Sequence, residues 1–337
     1  MDVRKILWDA ACGNAPGGVP ILSFPAVQKM DATVAQLVKD PQLQAQAMQI
    51  IACDTDTLAA VSLMDLSVEA EAFGAQIRFY EDEVPVVIGQ LVADREDADS
   101  LAVPSLEAGR ASIYIEGVRL AKQRIEGKPL IAGMTGPYSL AGRLMDVTEI
   151  IYICYDEPDV VHTVLEKVTA YLIAYGQAMK AAGADAVMIA EPLAGILNPD
   201  MATEFSVPYV RRIVQALQDD SFAVLYHNCG NSVSNMLEPI FSQGAAGYHF
   251  GNAVEMKKIL EAAPADVICM GNIDPAAQFT YGTPESMRRA TEQLLDACGK
   301  YQNFVPSSGC DIPAHASWDN IQAFFDTIKE NFQQNRA

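Results

Sequence analysis

Two apolar stretches, Ala186-Val187-Met188-Ile189-Ala190 and Phe222-Ala223-Val224-Leu225-Tyr226-His227, indicate how this chain folds. Neither alternates between apolar and polar residues, and such continuous hydrophobicity is typical of strands that are buried on both faces of a parallel sheet. Eight runs of this kind occur, and longer segments with helical periodicity separate most of them. The strand candidates are residues 19–24, 57–62, 130–134, 186–190, 222–227, 246–250, 267–271 and 304–308.

Helical signals lie between these runs, as in a chain that alternates strand and helix. Gly183 stands where a helix would end before the run that starts at residue 186, and Thr283-Pro284 provides an N-cap followed by proline at the first helical position. The main helical candidates are residues 160–182, 201–217, 232–243, 254–263 and 284–299. Eight strands that alternate with helices predict an α/β fold, a (β/α)8 TIM-type barrel, with an open doubly wound sheet as the alternative.

Two segments depart from this pattern. Residues 74–104 contain two short β-prone stretches, 76–79 and 86–88, on either side of Glu81-Asp82-Glu83, which predicts a β-hairpin inserted after the second strand. Residues 1–18 are expected to cap the bottom of the barrel. With no linker, repeat or low-complexity tract, residues 1–337 are predicted to form a single barrel domain.

Composition narrows the classes of function. Forty-three acidic and 23 basic side chains give a formal charge of −20, which disfavours nucleic acid and anionic membranes as partners. The N-terminus lacks the apolar stretch of a signal peptide, and no run reaches membrane-spanning length. Seven cysteines at irregular spacing fit reduced thiols in the cytoplasm better than a disulfide framework. The number of subunits, including a homo-oligomer, stays open.

Polar residues follow nearly every strand candidate, and catalytic groups of barrels lie at these carboxyl ends. His227 and Cys229 are two positions apart, so both side chains can face the same point of an extended chain, and Cys310 follows another strand candidate. One imidazole and two thiolates suit zinc, and three protein ligands leave a fourth position for water or substrate. The alternative is that both cysteines are buried small hydrophobic residues and His227 a hydrogen-bonded core residue.

Two carboxylates are candidate catalytic residues. Glu191 directly follows a strand candidate and could be a fourth metal ligand or a proton acceptor, although a glutamate at this place can also bind the amides of the next loop. Asp65 lies between apolar neighbours, so it is either a partly buried functional carboxylate or the cap of the following helix.

Three other residues are candidates for substrate binding. Arg143 could hold an anionic group through its planar guanidinium, although a surface ion pair is the alternative. Asn272 and Ser308 also belong to strand ends and are expected to contact substrate. His249 and His315 lack ligand spacing to the cysteines and are expected to be structural or to support the ligands from outside.

Several motifs occur in the order of a known family. They resemble the uroporphyrinogen decarboxylase superfamily and, within it, the zinc-dependent methylcobamide:coenzyme M methyltransferase branch, over roughly residues 18 to 330. The motifs are Met64-Asp65-Leu66-Ser67-Val68-Glu69-Ala70-Glu71-Ala72-Phe73-Gly74, Glu191-Pro192-Leu193-Ala194-Gly195-Ile196-Leu197 with Pro208-Tyr209, His227-Asn228-Cys229-Gly230-Asn231, Gly271-Asn272-Ile273-Asp274-Pro275 and Ser307-Ser308-Gly309-Cys310-Asp311-Ile312-Pro313.

The branch is chosen by departures from the decarboxylases. Those enzymes carry Arg-Gln-Ala-Gly-Arg after the first strand to bind a tetrapyrrole rich in propionates, whereas this chain has Ser23-Phe24-Pro25-Ala26-Val27-Gln28. Arg143 stands in place of their tyrosine, and Gly309-Cys310 in place of their Gly-His. Only Asp65 matches the decarboxylase carboxylate.

The resemblance implies a zinc-dependent methyltransferase. Zn²⁺ bound by His227, Cys229 and Cys310 would accept a thiol such as coenzyme M, and the methyl group would come from a methylcobamide, a corrinoid carried on a small partner protein. The resemblance is also compatible with other methyl acceptors and with transfer from a methylated substrate to the corrinoid. The alternatives are a metal-independent uroporphyrinogen decarboxylase-type enzyme and a non-catalytic corrinoid-binding protein with a structural zinc.

Overall fold

The computed structural model describes residues 1–334, and these form a barrel of parallel strands surrounded by helices. The strands are β1 (Ala60–Val61), β2 (Gln76–Arg78), β3 (Val86–Ile88), β4 (Leu130–Thr135), β5 (Ala186–Ala190), β6 (Ala223–Asn228), β7 (Gly247–Phe250), β8 (Ile268–Ile273) and β9 (Phe304–Ser308). The α-helices are α1 (Val3–Ala11), α2 (Val34–Leu37), α3 (Pro41–Asp54), α4 (Val68–Ala72), α5 (Arg95–Ser100), α6 (Ala111–Arg124), α7 (Pro137–Met145), α8 (Glu149–Asp156), α9 (Pro158–Ala181), α10 (Pro199–Phe205), α11 (Val207–Leu217), α12 (Leu237–Phe241), α13 (Met256–Ala262), α14 (Pro284–Cys298) and α15 (Trp318–Gln334).

The main sheet contains seven strands in the order β1-β4-β5-β6-β7-β8-β9, and every neighbouring pair is parallel. The chain before β1 fills the remaining gap. The Val19 amide donates to the Pro306 carbonyl at 3.1 Å on one side, and the Leu58 amide donates to the Gly18 carbonyl at 2.9 Å on the other. The barrel expected from the sequence is therefore present, with seven strands and one irregular closing segment, residues 18–21.

The prediction of a strand at residues 19–24 was wrong. Pro20 has no amide hydrogen, so it cannot take part in a regular ladder. The Ile21 amide donates to the Ser308 hydroxyl rather than to a backbone carbonyl, at 3.0 Å, and a 3₁₀ helix, Phe24–Lys29, begins directly afterwards. The segment is extended and buried, but side chains provide part of its hydrogen bonding.

Strand side chains divide between two hydrophobic cores with a period of two residues. In β5, Ala186, Met188 and Ala190 belong to the core inside the barrel, whereas Val187 and Ile189 belong to the core beneath the helices. Burial on both faces explains the continuous hydrophobicity of the sequence. The same parity continues in β6, where Ala223 and Leu225 point inward, so the next inward positions fall at residues 227 and 229.

Helix α1 packs across the bottom of the barrel, where the strands begin. Its Val3 and Leu7 side chains are 2% exposed and belong to the inner core. The amino group of Met1 pairs with Asp185, which directly precedes β5 and also accepts a hydrogen bond from the Leu130 amide. The bottom of the inner core is thus closed by apolar side chains of α1.

Three other features affect the site or correct the sequence predictions. Strands β2 and β3 pair antiparallel within the segment where an inserted hairpin was expected. The helix predicted at residues 201–217 is interrupted between α10 and α11, because Pro208 cannot donate to a preceding carbonyl. The helix predicted at residues 232–243 is replaced by a 3₁₀ turn and the short α12.

None of the helices within residues 1–334 has both the length and the apolar character needed to cross a membrane.

Glycines allow the loops at the carboxyl ends of β6, β7 and β9 to pack closely. A Cβ atom at Gly251, after β7, would lie 2.5 Å from Cys229 Cα and 2.6 Å from Cys229 Cβ. A Cβ atom at Gly309, after β9, would lie 2.6 Å from the Asn252 backbone nitrogen. Since any side chain at these two positions would overlap neighbouring atoms, the glycines fix how near the loops come to one another.

Truncation of Leu7 tests whether α1 is part of the core. We expect Leu7→Ala to lower the free energy of unfolding by about 2–5 kcal/mol, because it leaves a cavity in the inner core. Tyr281→Ala is the control, since Tyr281 is 80% exposed, and its effect should stay within about 0.5 kcal/mol. Urea unfolding provides both values, and equal stability of Leu7→Ala and the wild type would contradict the packing of α1.

Substitution of Gly251 tests the close approach of the loops. We expect Gly251→Ala to push Cys229 outward and, at the zinc site that the sequence predicts, to weaken Zn²⁺ binding by about 10-fold, a loss typical of changes next to metal ligands. Gly13→Ala is the control, because Gly13 has a φ of +69° and no neighbouring atom within 4 Å. Its left-handed backbone should cost about 1–2 kcal/mol of stability without a change in zinc affinity. Competition with a chromophoric chelator measures the affinity, and wild-type binding by Gly251→Ala would refute this role of the glycine.

Candidate metal centre

Three side chains with metal-ligating atoms meet at the carboxyl ends of the strands. His227 lies in β6, Cys229 follows that strand directly, and Cys310 follows β9. One nitrogen or sulfur atom from each lies within 4.8 Å of the others, and Cys310 Sγ is 3.6 Å from His227 Nε2. His227 is buried while both cysteines are partly exposed. The structure therefore brings together the three residues that the sequence predicted as ligands.

The two thiols share a proton. The hydrogen bond from the Cys310 thiol lowers the pKa of Cys229, aided by His227, and the same contact raises the pKa of Cys310. At neutral pH the pair therefore carries one thiolate next to an imidazole nitrogen. A divalent cation would displace the remaining proton and accept all three donors, and a mixture of nitrogen and two sulfurs is a ligand set that zinc prefers. The residues present thus fit a zinc ion with three protein ligands.

His227 is supported from below by a row of buried polar groups. Its Nδ1 atom is 2.8 Å from Nδ1 of His249, and Nε2 of His249 is 2.7 Å from the Ser307 hydroxyl oxygen. The Ser307 hydroxyl donates to the Val19 carbonyl at 2.9 Å. The sequence indicated only that His249 is a supporting or structural residue. Strand register, which pairs His227 with His249 across β6 and β7, makes the two rings neighbours.

A cavity of about 550 Å³ lies at the same end of the barrel, lined in part by the residue that follows Cys310. Asp311, the residue after Cys310, lines it, as do apolar side chains from the β2–β3 insertion and from the loops after β1, α7 and β5. These apolar lining residues are Met64, Leu66, Val84, Pro85, Val86, Val87, Val147, Pro192 and Leu193. The size is that of a pocket for a small molecule or for part of a larger cofactor.

Arg143 is the cationic side chain among the residues that line this cavity. Its Nη1 atom donates to the Ser139 carbonyl at 2.9 Å, and the guanidinium forms no ion pair with any residue in the described range 1–334. Burial lowers the pKa of Arg143, whereas the negative field of Glu69 and Glu191 raises it. A half-buried guanidinium without a bonded carboxylate is suited to bind an anionic ligand group.

Glu191 does not point into the ligand cluster. Its carboxylate accepts hydrogen bonds from the Tyr138 amide at 2.8 Å and the Ser139 amide at 2.9 Å, and from the Ser206 hydroxyl at 3.3 Å. The two amides belong to the first turn of α7, where a negative charge is favoured by the helix dipole. Burial raises the pKa of Glu191, and these donors oppose that shift. The geometry favours the binding of nearby amides, one of the two roles that the sequence left open.

Asp65 is enclosed by a buried polar network. It forms an ion pair with Arg110, and its carboxylate accepts hydrogen bonds from the Tyr114 hydroxyl at 2.7 Å and the Ser67 amide at 3.0 Å. Arg110 also pairs with Glu71 at 2.6 Å. With both oxygens engaged and 4% exposure, Asp65 is arranged as a structural residue rather than as a free acid or base. The partner Arg110 could not be found from the sequence, because its contact with Asp65 is non-local.

Asn272 and Ser308 also use their polar atoms within the protein. The Asn272 side-chain amide donates to the Gly251 and Val254 carbonyls, both at 2.8 Å, and thereby ties the loop after β7 to β8. Ser308 is fully buried and accepts the Ile21 amide of the closing segment. Neither lines the cavity. Their expected contact with substrate is therefore not visible in the structure, and the cavity residue Asp311 was not singled out from the sequence.

Two kinds of relative have similar sequences. Methylcobamide:CoM methyltransferase MtbA of Methanosarcina acetivorans is 28% identical over 270 residues, which are 79% of this chain and 77% of that protein. Uroporphyrinogen decarboxylase of Xylella fastidiosa is also 28% identical, over 288 residues that are 80% of this chain and 79% of the relative. Overall identity alone does not separate the two activities.

Solved structures share the fold. A methyltransferase from Methanosarcina mazei has a TM-score of 0.86 at 23% identity, with 98% of each chain covered. A B12-independent methionine synthase from Shewanella sp. W3-18-1 has a TM-score of 0.58 at 13% identity, with 96% of each chain covered. The overall fold of the barrel is thus shared with these solved structures.

The model of the uroporphyrinogen decarboxylase (URO-D) family matches residues 21–331, nearly the whole chain. This range includes all strands and the three candidate ligands. The chain therefore belongs to the uroporphyrinogen decarboxylase family.

Proposed function

We propose that this protein is a zinc-dependent methyltransferase that moves a methyl group between a methylated corrinoid and a small thiol. The observation that carries the proposal is the convergence of His227, Cys229 and Cys310 within 4.8 Å, where Asp311, the residue after Cys310, lines a cavity. Similarity to methylcobamide:CoM methyltransferases supports the choice of methyl donor and of a thiol such as coenzyme M. A cytoplasmic location, with the corrinoid carried on a small protein, is part of the same proposal.

The ligand set suits the activation of a thiol. Zinc held by these three residues would offer a fourth position and lower the pKa of a thiol bound there. Cys229 and Cys310 are partly exposed, whereas His227 is buried. In the transfer, the deprotonated sulfur forms a bond to the methyl carbon as the carbon–cobalt bond breaks, and the electron pair of that bond stays on cobalt.

The cavity would align the reactants. Arg143 would bind the anionic end of the thiol through its free donors, which fixes the direction in which the sulfur points. The apolar walls, such as Leu193 and Val87, would exclude water from the reacting atoms. Asp65, Glu191, Asn272 and Ser308 act in this proposal by holding the loops that carry these groups.

The residues present do not favour the decarboxylase alternative. Such an enzyme needs several cations to hold a polycarboxylate, but the described lining of the cavity includes the single cation Arg143. In the segment after residue 22, Gln28 donates to the Ala314 and Ala316 carbonyls and Lys29 pairs with Asp54. Release of carbon dioxide from uroporphyrinogen by zinc-free protein would instead support that alternative.

A purely structural zinc in a corrinoid-binding protein would require a closed site with four protein ligands. Among residues 1–334, the cluster of ligating side chains contains three members. Two of the three members, Cys229 and Cys310, are partly exposed, and the residue after Cys310 lines a cavity. These features favour a catalytic ion with an open position.

Removal of a ligand tests the proposal. We expect His227→Ala and Cys310→Ala each to abolish stoichiometric zinc and methylation of the thiol together, because two remaining ligands cannot hold the ion. Cys53→Ala is the matched control, since Cys53 is an exposed free cysteine outside the cluster. Metal analysis is combined with an assay of demethylation of methylcobalamin. Full turnover by a zinc-free variant would refute the proposed mechanism.

Substitution of Arg143 tests the binding of an anionic group. Loss of a charged hydrogen bond costs about 1.5–3 kcal/mol, so Arg143→Met should raise the KM for 2-mercaptoethanesulfonate by about 10- to 100-fold. The KM for uncharged 2-mercaptoethanol should stay near the wild-type value. Arg212→Met is the control, because Arg212 pairs with Glu166 on the surface. Equal changes of KM for both thiols would contradict a specific role for the guanidinium.

A further inference from the structure

We propose that His249 and Ser307 are positioning residues that fix the tautomer of His227, so that its Nε2 lone pair faces the metal. The inference rests on the zinc site of the proposed function and adds two residues that are not ligands. It also links that site to the Val19 carbonyl in the segment that closes the barrel. Val19, Ser307 and His249 are fully buried, and His227 is 3% exposed.

The Val19 carbonyl lies at the end of this row of hydrogen-bonded groups, and it determines which partner donates in each bond. The Val19 carbonyl can only accept, and the Ser307 oxygen lies 2.9 Å from it, so the single hydroxyl proton of Ser307 is used in this bond. The Ser307 oxygen must therefore accept from its other neighbour, Nε2 of His249, at 2.7 Å. His249 thus carries a proton on Nε2.

The proton between the two histidine rings determines the tautomer of His227. Its Nδ1 atom and Nδ1 of His249 are 2.8 Å apart, so one of the two nitrogens donates to the other. His249 is completely buried, and its ring nitrogens contact Ser307 and His227 rather than a carboxylate, which opposes a charge on this ring. A neutral His249 with its proton on Nε2 has an acceptor at Nδ1. His227 must then donate from Nδ1, and in its neutral form the Nε2 atom is left unprotonated.

The unprotonated nitrogen faces the ligand cluster. Nε2 of His227 lies 3.6 Å from Cys310 Sγ, on the side where the two thiols meet. In a neutral histidine either ring nitrogen can carry the proton, so without the row the Nε2–H form would compete with metal binding. The row of hydrogen bonds from Val19 to His227 thereby selects the tautomer of His227 that can bind a cation. It also fixes the rotation of the His227 ring.

Histidine tautomers can be read directly by ¹⁵N NMR. The wild-type protein, labelled at its four histidines, is measured with and without Zn²⁺ in long-range ¹H–¹⁵N correlation spectra. We expect His227 to be protonated at Nδ1 and His249 at Nε2 in both samples, with a zinc-induced shift confined to Nε2 of His227. A proton on Nε2 of His227 in the zinc-free protein would overturn the inference. Because the wild-type protein is measured, the result does not depend on whether a variant folds.

Ser307 variants supply the second readout. Ser307→Ala removes the acceptor of His249, so we expect a mixture of His227 tautomers and a loss of zinc affinity of about 10- to 100-fold. Ser307→Thr keeps the hydroxyl and should restore both properties. Ser308→Ala is the matched control, because Ser308 is an equally buried neighbour whose hydroxyl binds the closing segment and not His249. Wild-type tautomers and zinc affinity in Ser307→Ala would overturn the inference.

The same spectra separate this inference from the proposed function. If Nε2 of His227 does not shift when zinc is added, the metal site itself is wrong. If it shifts while His249 carries its proton on Nδ1, zinc binds but the positioning row does not operate as proposed. Both results are independent of turnover and of the identity of the thiol.

Discussion

The candidate site depends on one constraint, which is that two thiols and one imidazole lie within 4.8 Å of one another. Two thiolates this close together repel each other, and the hydrogen bond between the thiols lowers the pKa of Cys229 and raises the pKa of Cys310. The backbone keeps the groups together, since the glycine at residue 251 allows the loop after β7 to lie against Cys229. The cluster is thus assembled by loop packing as well as by local sequence.

The closing segment connects the stability of the barrel with the chemistry at its mouth. Residues 18–21 fill the gap between β9 and β1, and their backbone atoms bind the hydroxyls of Ser307 and Ser308. The Ser307 hydroxyl also contacts the His249 ring, and the other nitrogen of that ring contacts His227. A region that lacks regular strand structure is therefore connected by hydrogen bonds to His227, the most buried of the three candidate ligands.

Local sequence was sufficient for features that depend on local patterns. The strands Ala186–Ala190 and Phe304–Ser308 have the bounds that their apolar runs predicted. The spacing of His227 and Cys229 predicted that both side chains can face one point, and their ligating atoms lie within 4.8 Å of each other. Prediction failed at residues 19–24 because Pro20 cannot donate, and at 201–217 because Pro208 interrupts the helix.

Other features depend on contacts between distant parts of the chain. Strand register places His249 beside His227, and the loop before α6 brings Arg110 to Asp65. Neither contact has a signal in residue spacing. For the same reason the sequence left the role of Glu191 open, because its amide partners lie at the start of α7, more than fifty residues earlier. Side chains at strand ends can be recognised as candidates, but their neighbours decide whether they face substrate or hold the fold.

X-ray absorption at the zinc edge, with and without a thiol, tests the central claim most directly. The zinc-loaded protein should show two sulfur neighbours at about 2.3 Å and one imidazole nitrogen at about 2.0–2.1 Å. Addition of 2-mercaptoethanesulfonate should bring a third sulfur to the same distance, in place of a lighter atom. Coordination by four protein ligands that no thiol alters, or the absence of bound zinc, would contradict an open metal site built from His227, Cys229 and Cys310.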